Sequence, residues 1–168
     1  METVPSVSAA NESIHNTAGV VSDSDTSEKT YRVAGITHYM DNLMNLAVEN
    51  EDYNMSKKEI VDSFMYGERI WKYGFTTLNT KLVPEPDNAY DKNAIKVIVD
   101  GEHIGYIKSG SCTHIHKLLS NNAVVDIEST IGGGPYKYVE EDDDGDSYTM
   151  EKDESPYSCK LTITERKC

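Results

Sequence analysis

Several things that would fix a function at once are missing from this sequence. No run of about 18 apolar residues occurs, so no spanning helix is expected. The opening METVPSVSAANESIHNTAG has no basic segment followed by an apolar one, so it does not read as a secretory leader, and a cytoplasmic setting is expected. Cysteine is scarce. Cys112, Cys159 and Cys168 are widely spaced with no CxxC pair, which argues against a zinc ribbon or a thioredoxin-like motif. Cys112 reads as a small buried apolar residue and Cys168 as a free terminal thiol. Gly132-Gly133-Gly134 is not followed by the Lys-Ser/Thr of a phosphate-binding loop, so no nucleotide-driven motor is expected. Positive charge is short as well: 16 basic residues stand against 29 acidic ones in 168, a net charge of −13. That balance weighs against binding driven by a nucleic-acid backbone, which rests on Lys and Arg.

The deficit is uneven. Residues 1–30 hold five acids and one base, residues 31–139 fourteen acids and eleven bases, and residues 140–168 ten acids and four bases. The middle of the chain is therefore close to neutral, which weakens the objection there. Length predicts one domain, large enough for a single core that needs no disulfide or metal.

Residues 1–30 are polar, without apolar periodicity, and predict a disordered tail. Order is expected from Tyr31, with a first strand over Tyr31–Ile36. Ser56-Lys57-Lys58-Glu59 fits a capping box and predicts a helix over 57–66, with Ile60, Val61 and Phe64 at one-turn spacing. A second strand is expected from Gly74 to Val83, closed by Pro84 and Pro86. A third runs from Asn93 to Val99. Asp100-Gly101 predicts a two-residue hairpin turn, and Glu102–Ile107 returns as the fourth strand. A helix capped by Ser111 should bury Cys112, Ile115 and Leu119. Val124–Ile131 reads as a strand, the three glycines as a turn into Tyr136–Val139, Glu140–Asp146 as an acidic loop, and Tyr157–Thr164 as the last strand. The expected domain covers residues 31–165, with a helical insertion over 40–73 and an acidic loop over 140–156. Helices and strands do not alternate regularly, which favours a small mixed barrel over a doubly wound sheet.

The run from Leu82 to Val97, LVPEPDNAYDKNAIKV, followed by VDGEHIGYIK from Val99 to Lys108, resembles the signature of the HIRAN domain family. Val33-Ala34-Gly35-Ile36 resembles the family's first strand, and Ile131–Tyr138 the Gly-rich turn of its free-standing bacterial members. The resemblance implies a mainly β, α+β fold: an OB-like barrel of six or seven strands with two or three short helices. It also implies a non-catalytic module that captures the 3′-hydroxyl end of single-stranded DNA, in DNA repair or replication-fork processing, with no cofactor and no metal.

The chemistry such capture needs can be placed on residues. A free 3′-hydroxyl calls for an acceptor, and a carboxylate only accepts; Asp91 is the motif residue for that role. Tyr90 offers a face for the terminal base, and Asn88 fixes the pocket or bonds the nucleotide. Tyr106 and Lys108 leave the hairpin nearby, Lys108 towards a phosphate. Helicase-linked members carry Arg-Tyr-Tyr where this chain has Thr37-His38-Tyr39, and an aromatic near Gly133. Tyr39 is kept. His38 stacks less strongly and carries charge only at lower pH. The substitutions predict weaker DNA binding or a changed ligand.

Plainer roles stand beside these. Asp91-Lys92-Asn93 is also the pattern of an Asx turn that starts a strand. Tyr90 could pack on the barrel wall, and Lys108 could be a solvated strand end. His114 and His116, two apart on a helix, point to nearly opposite sides and do not suit one metal site. Trp71, Tyr73 and Phe75 read as core packing. The principal alternative function is a protein-interaction or regulatory module whose acidic segments recruit a basic partner without binding DNA. A nuclease or hydrolase would need clustered carboxylates or a nucleophile–base pair, and no such motif surrounds Asp87 and Asp91.

Overall fold

The computed structural model describes residues 25–77 and 79–167. Among these residues nine strands form: β1 (Thr26–Ala34), β2 (Ala47–Glu49), β3 (Ile70–Trp71), β4 (Tyr73–Phe75), β5 (Thr80–Pro84), β6 (Ile95–Val99), β7 (Glu102–Ile107), β8 (Val124–Glu141) and β9 (Tyr148–Arg166). The helices are α1 (Met40–Met44), α2 (Lys57–Asp62) and α3 (Ser109–Ser120). Seven strands make one sheet in the order β3-β8-β9-β1-β7-β6-β5, and β2 pairs with β4 apart from it.

β1 joins the two parts of the main sheet. Thr26 to Arg32 pair antiparallel with β9, and Val33 and Ala34 then pair with β7. The strand starts ahead of the expected Tyr31. Its first residues are mostly exposed on both faces, so backbone pairing holds them and no apolar alternation announces them. Up to residue 24, the expected polar tail lies outside the described residues, as does the Cys168 thiol.

The β6–β7 hairpin forms where alternation and turn chemistry agree. Ile95, Val97 and Val99 are buried with Lys96 and Ile98 between them, and Asp100 and Gly101 both take positive φ (47° and 85°), as a two-residue hairpin turn requires. α3 covers this hairpin and buries Cys112, Ile115 and Leu118, while the expected Leu119 packs at the margin. Lys108, not Ser111, precedes the helix as its N-cap. These residues join Val33, Leu82, Ile104, Ile107, Ile131, Leu161 and Ile163 in one apolar core.

The chain is mainly β with few helices, but the sheet is not a closed barrel. Among the described residues no ladder joins the outer strands β3 and β5. The sheet bends toward closure all the same, since Thr80 Oγ1 lies 2.7 Å from Ser129 Oγ and bridges β5 to β8.

The largest departure from expectation is the β8–β9 arm. The three glycines are not a turn. They lie inside one 18-residue strand, opposite a bulge in β9 where Pro156 and Tyr157 together face Gly133. Glycine at positive φ, here 106° at Gly133, serves beside a bulge as well as in a turn, so the residues alone cannot separate them. Pro156 is tolerated in β9 because it sits at this interruption. The acidic loop expected over 140–156 is mostly strand, and the turn spans only 142–147. The expected insertion over 40–73 holds α1 and α2 but also β2, β3 and part of the β4 pairing. α2 starts at the expected capping box, with Glu59 N–H donating to Ser56 Oγ and Ser56 N–H to Glu59 Oε2. It ends at Asp62, so Phe64 falls outside it. Ile60, Ile70 and Val139 form a second, smaller core under the arm. No helix among the described residues is long and apolar enough to cross a membrane.

Candidate nucleic-acid interface

The turn between β5 and β6 is built on Asn88. Its Oδ1 accepts the backbone N–H groups of both Tyr90 and Asp91 at 2.9 Å. Asp91 Oδ1 in turn accepts the Asn93 N–H at 2.8 Å, an Asx turn that leads into the strand. Glu85 N–H donates to the Ala94 carbonyl and closes the turn. His116, on α3, holds the Asn93 carbonyl at 2.9 Å and ties the turn to the helix. With the backbone fixed this way, Tyr90 is left wholly exposed (100%) and Asp91 half-buried beside it.

Asn88 also links this turn to a second group. Its Nδ2 donates to Glu85 Oε2 at 2.8 Å, and the Tyr106 hydroxyl donates to the same oxygen at 2.9 Å. Lys96 pairs with Glu85 Oε1 at 2.7 Å. Lys96, then Asn88 and Tyr106, pull the Glu85 carboxyl down to about 2. The Tyr106 hydroxyl is held well above its ordinary value by its hydrogen bond with Tyr39, by burial, and by Glu85. Tyr39, His103 and Tyr106 form a ring cluster, with centroids 4.2 Å apart for Tyr39–His103 and 4.9 Å for His103–Tyr106. His103 Nε2 lies 3.0 Å from the Gly105 carbonyl, so this nitrogen carries hydrogen. Burial lowers the His103 pKa, against the hydrogen bond to Gly105, which raises it.

Of the seven residues the sequence singles out, Asn88, Tyr39 and Tyr106 therefore meet around Glu85, and Tyr90 and Asp91 stand on the turn that Asn88 shapes. Lys108 is exposed at the start of α3, and His38 is exposed in the 3-10 turn Ile36–Tyr39, where residues 37–42 line a cavity of about 330 Å³. No hydrogen bond or ring contact joins either to the Glu85 group. His114 and His116 serve different partners, Glu165 at 3.1 Å and the Asn93 carbonyl.

Glu85, Lys96 and His103 were not foreseen. His103 and Tyr106 are three apart and should face opposite ways on a regular strand. A bulge resolves this: Val97 pairs with Gly105 but Ile98 pairs with His103, so Ile104 is extra and the two rings share the face of Lys96.

A cavity of about 490 Å³, which shares Thr37 with the one at residues 37–42, is lined by Arg32, Gly132, Tyr157 and Lys160 among others. Arg32 and Lys160 are direct cross-strand partners in the β1–β9 ladder. Like charges set opposite each other cost stability, and an anion between them would relieve that repulsion.

Comparison with known proteins bears on this surface. No curated protein matches the chain. Two solved structures are similar at low identity. The HIRAN domain of human HLTF is 17% identical, with 86% of this chain and 84% of that one covered and a TM-score of 0.38. A protein from Lactobacillus plantarum is 16% identical, with 84% and 99% covered and a TM-score of 0.35. The family model of the HIRAN domain matches residues 71–145, which contain the Asn88 turn, the bulged β6–β7 hairpin and α3. Residues 71–145 are thus similar to the HIRAN domain family.

Proposed function

We propose that this protein is a non-catalytic nucleic-acid-binding module that takes the 3′-hydroxyl end of single-stranded DNA on the surface around the Asn88 turn. The observation that carries the reading is that one side chain, Asn88, fixes a wholly exposed tyrosine beside a half-buried carboxylate. Among the described residues Tyr90 has no ring to stack on, and a nucleobase suits it; such stacking contributes about 1–3 kcal/mol per base. The Asn93 N–H orients the Asp91 carboxylate, whose remaining acceptor capacity suits a terminal hydroxyl and repels a terminal phosphate. The Arg32–Lys160 cavity offers cations for the phosphates that precede the end.

Binding, not bond breaking, is what this surface suits. Glu85 already accepts from three donors and its carboxyl is a weak base at about 2. The Tyr106 hydroxyl stays protonated because its pKa is raised.

Fluorescence anisotropy with short labelled oligonucleotides tests the reading. The panel ends in 3′-hydroxyl or 3′-phosphate, in DNA or RNA. The 3′-hydroxyl strand should bind at least about tenfold tighter than the 3′-phosphate, a difference of about 1.4 kcal/mol. Asp91→Asn should erase that preference, and Tyr90→Ala should weaken every strand. Equal affinity for the two ends removes the Asp91 role, and no binding at moderate salt removes the nucleic-acid reading altogether.

A further inference from the structure

The β8–β9 arm has two unlike faces beyond the bulge opposite Gly133. Residues paired directly across an antiparallel ladder share a face. Lys137, Val139 and Tyr148 fall on one side and pack on α2 and the segment before it, with Val139 in the small core and Lys137 Nζ bonded to the Met55 carbonyl. Tyr136, Tyr138 and Glu140 fall on the other side, with their partners Asp153, Glu151 and Thr149. β3 extends that second face, since Trp71 pairs with Tyr136. The Trp71 and Tyr136 rings are 4.9 Å apart, and Tyr136 and Tyr138 6.1 Å.

The face already shows what it accepts. The Arg69 guanidinium lies over the Tyr136 ring, 4.6 Å from its centroid. Beside it, a cavity of about 330 Å³ is lined by Gly67, Arg69, Tyr136, Tyr138, Glu140 and Asp153. Rings with carboxylates at their rim form the arrangement that holds cationic side chains, as the ring face is negative and the acids add to it. Charge points the same way. Residues 140–156 carry nine acids and one lysine. Among the described residues, none of those nine carboxylates forms an ion pair with a lysine, arginine or histidine. Unmet charge of one sign repels itself and is relieved by a partner of the other sign.

The edge of the arm is open as well. β1 pairs with β9 only from Lys160 onward, so that among the described residues β8 is the one ladder partner of the distal part of β9. A second copy of this chain would set acid against acid along that edge, which disfavours self-pairing.

We infer that this face is a docking site for a basic, extended segment of a partner protein. The segment adds alongside the distal part of β9, and an arginine or lysine enters the cavity between Tyr138 and the carboxylates of Glu140 and Asp153. Edge addition gives affinity through the backbone and specificity through alternate side chains. The site stands apart from the Asn88 turn and does not rest on the nucleic-acid reading.

The test is calorimetric titration of the full chain with a synthetic peptide of alternating arginine and threonine, which presents its cations on one side of a strand. A peptide of the same pattern with glutamate for arginine is the control. Three variants separate a shaped site from bulk charge: Tyr138→Ala, the face triple Glu140→Gln/Glu151→Gln/Asp153→Asn, and the tip triple Asp142→Asn/Asp143→Asn/Asp144→Asn. The face triple removes as much charge as the tip triple. Saturable binding of the arginine peptide that falls about tenfold or more in Tyr138→Ala and in the face triple, and less than about threefold in the tip triple, supports the site. Equal losses in the two triples, no loss in Tyr138→Ala, or no binding at moderate salt overturns it. Circular dichroism of each variant must match the parent. If Tyr138→Ala fails that check, Tyr138→Leu, which keeps the apolar contact and loses the ring, replaces it.

Discussion

At the scale of single residues, Glu85 does most to organise the candidate interface, because it receives Lys96, Asn88 and Tyr106 together. Its carboxyl is lowered in the folded chain to about 2. A lowered carboxyl adds stability that is fully present above its unfolded pKa, about 4.3, and that is lost as pH falls through the folded value. Urea unfolding of the parent and of Glu85→Gln should therefore differ at neutral pH and converge as pH falls from about 4.3 toward 2. A gap that stays constant over that window would show that the three donors do not depend on the ionised group. Much at this scale could be read in advance. Asp100-Gly101 announces its turn, Ser56 and Glu59 their capping box, and Asp91 and Asn93 their Asx turn, because each depends on neighbours in sequence. Glu85 could not be ranked above the other acids of its motif. Its weight comes from Lys96 and Tyr106, which only the β5–β6–β7 ladder brings near it.

At the scale of elements, what alternation could not show is where a strand changes phase. Ile104 is one residue more than β6 can pair with, and this alone turns His103 to the side of Tyr106. The arm shifts phase in the same way through the extra residue of β9 at Pro156–Tyr157, opposite Gly133, where a triple glycine was equally consistent with a turn. Both bulges lie beside close backbone approaches. A Cβ at Gly105 would stand 2.5 Å from the Ala34 carbonyl oxygen and 2.7 Å from a Val33 methyl, at the joint where β1 leaves β9 for β7. Backbone oxygen cannot yield as a side-chain tip can. Gly105→Ala should thus separate β1 from β7 and destabilise the fold by about 1–3 kcal/mol, the range of overpacking in a core. The comparison is Gly74→Ala, where a Cβ meets nothing within 4 Å. Chemical denaturation reads both, and an equal, small loss in the two variants would mean that the β1–β7 joint opens without cost.

At the scale of the whole molecule, two apolar clusters of very different size divide the work. The main one draws residues from β1, β5, β6, β7, β8, β9 and α3 and carries the Asn88 turn above it. The other rests on Ile60, Ile70 and Val139 and holds the acidic arm to α2. A core with three buried members has little to lose before it opens, whereas the larger one unfolds only with the whole chain. Filling and emptying the small core should therefore act on the arm alone. Ile60 is fully buried in it. Ile60→Ala costs about 2–5 kcal/mol for a site of this kind, more than local opening of the arm is expected to withstand. Hydrogen exchange of this variant should show the amides of 136–141 and 148–153 exchanging much faster, with those of β6 and β7 unchanged. Oligonucleotide affinity should stay near that of the parent, and affinity for the arginine peptide should fall. If exchange rises equally in β6 and β7, the two clusters form one cooperative unit. In that case the Asn88 turn and the arm cannot be treated as separable sites, because any ligand that steadies one would steady the other.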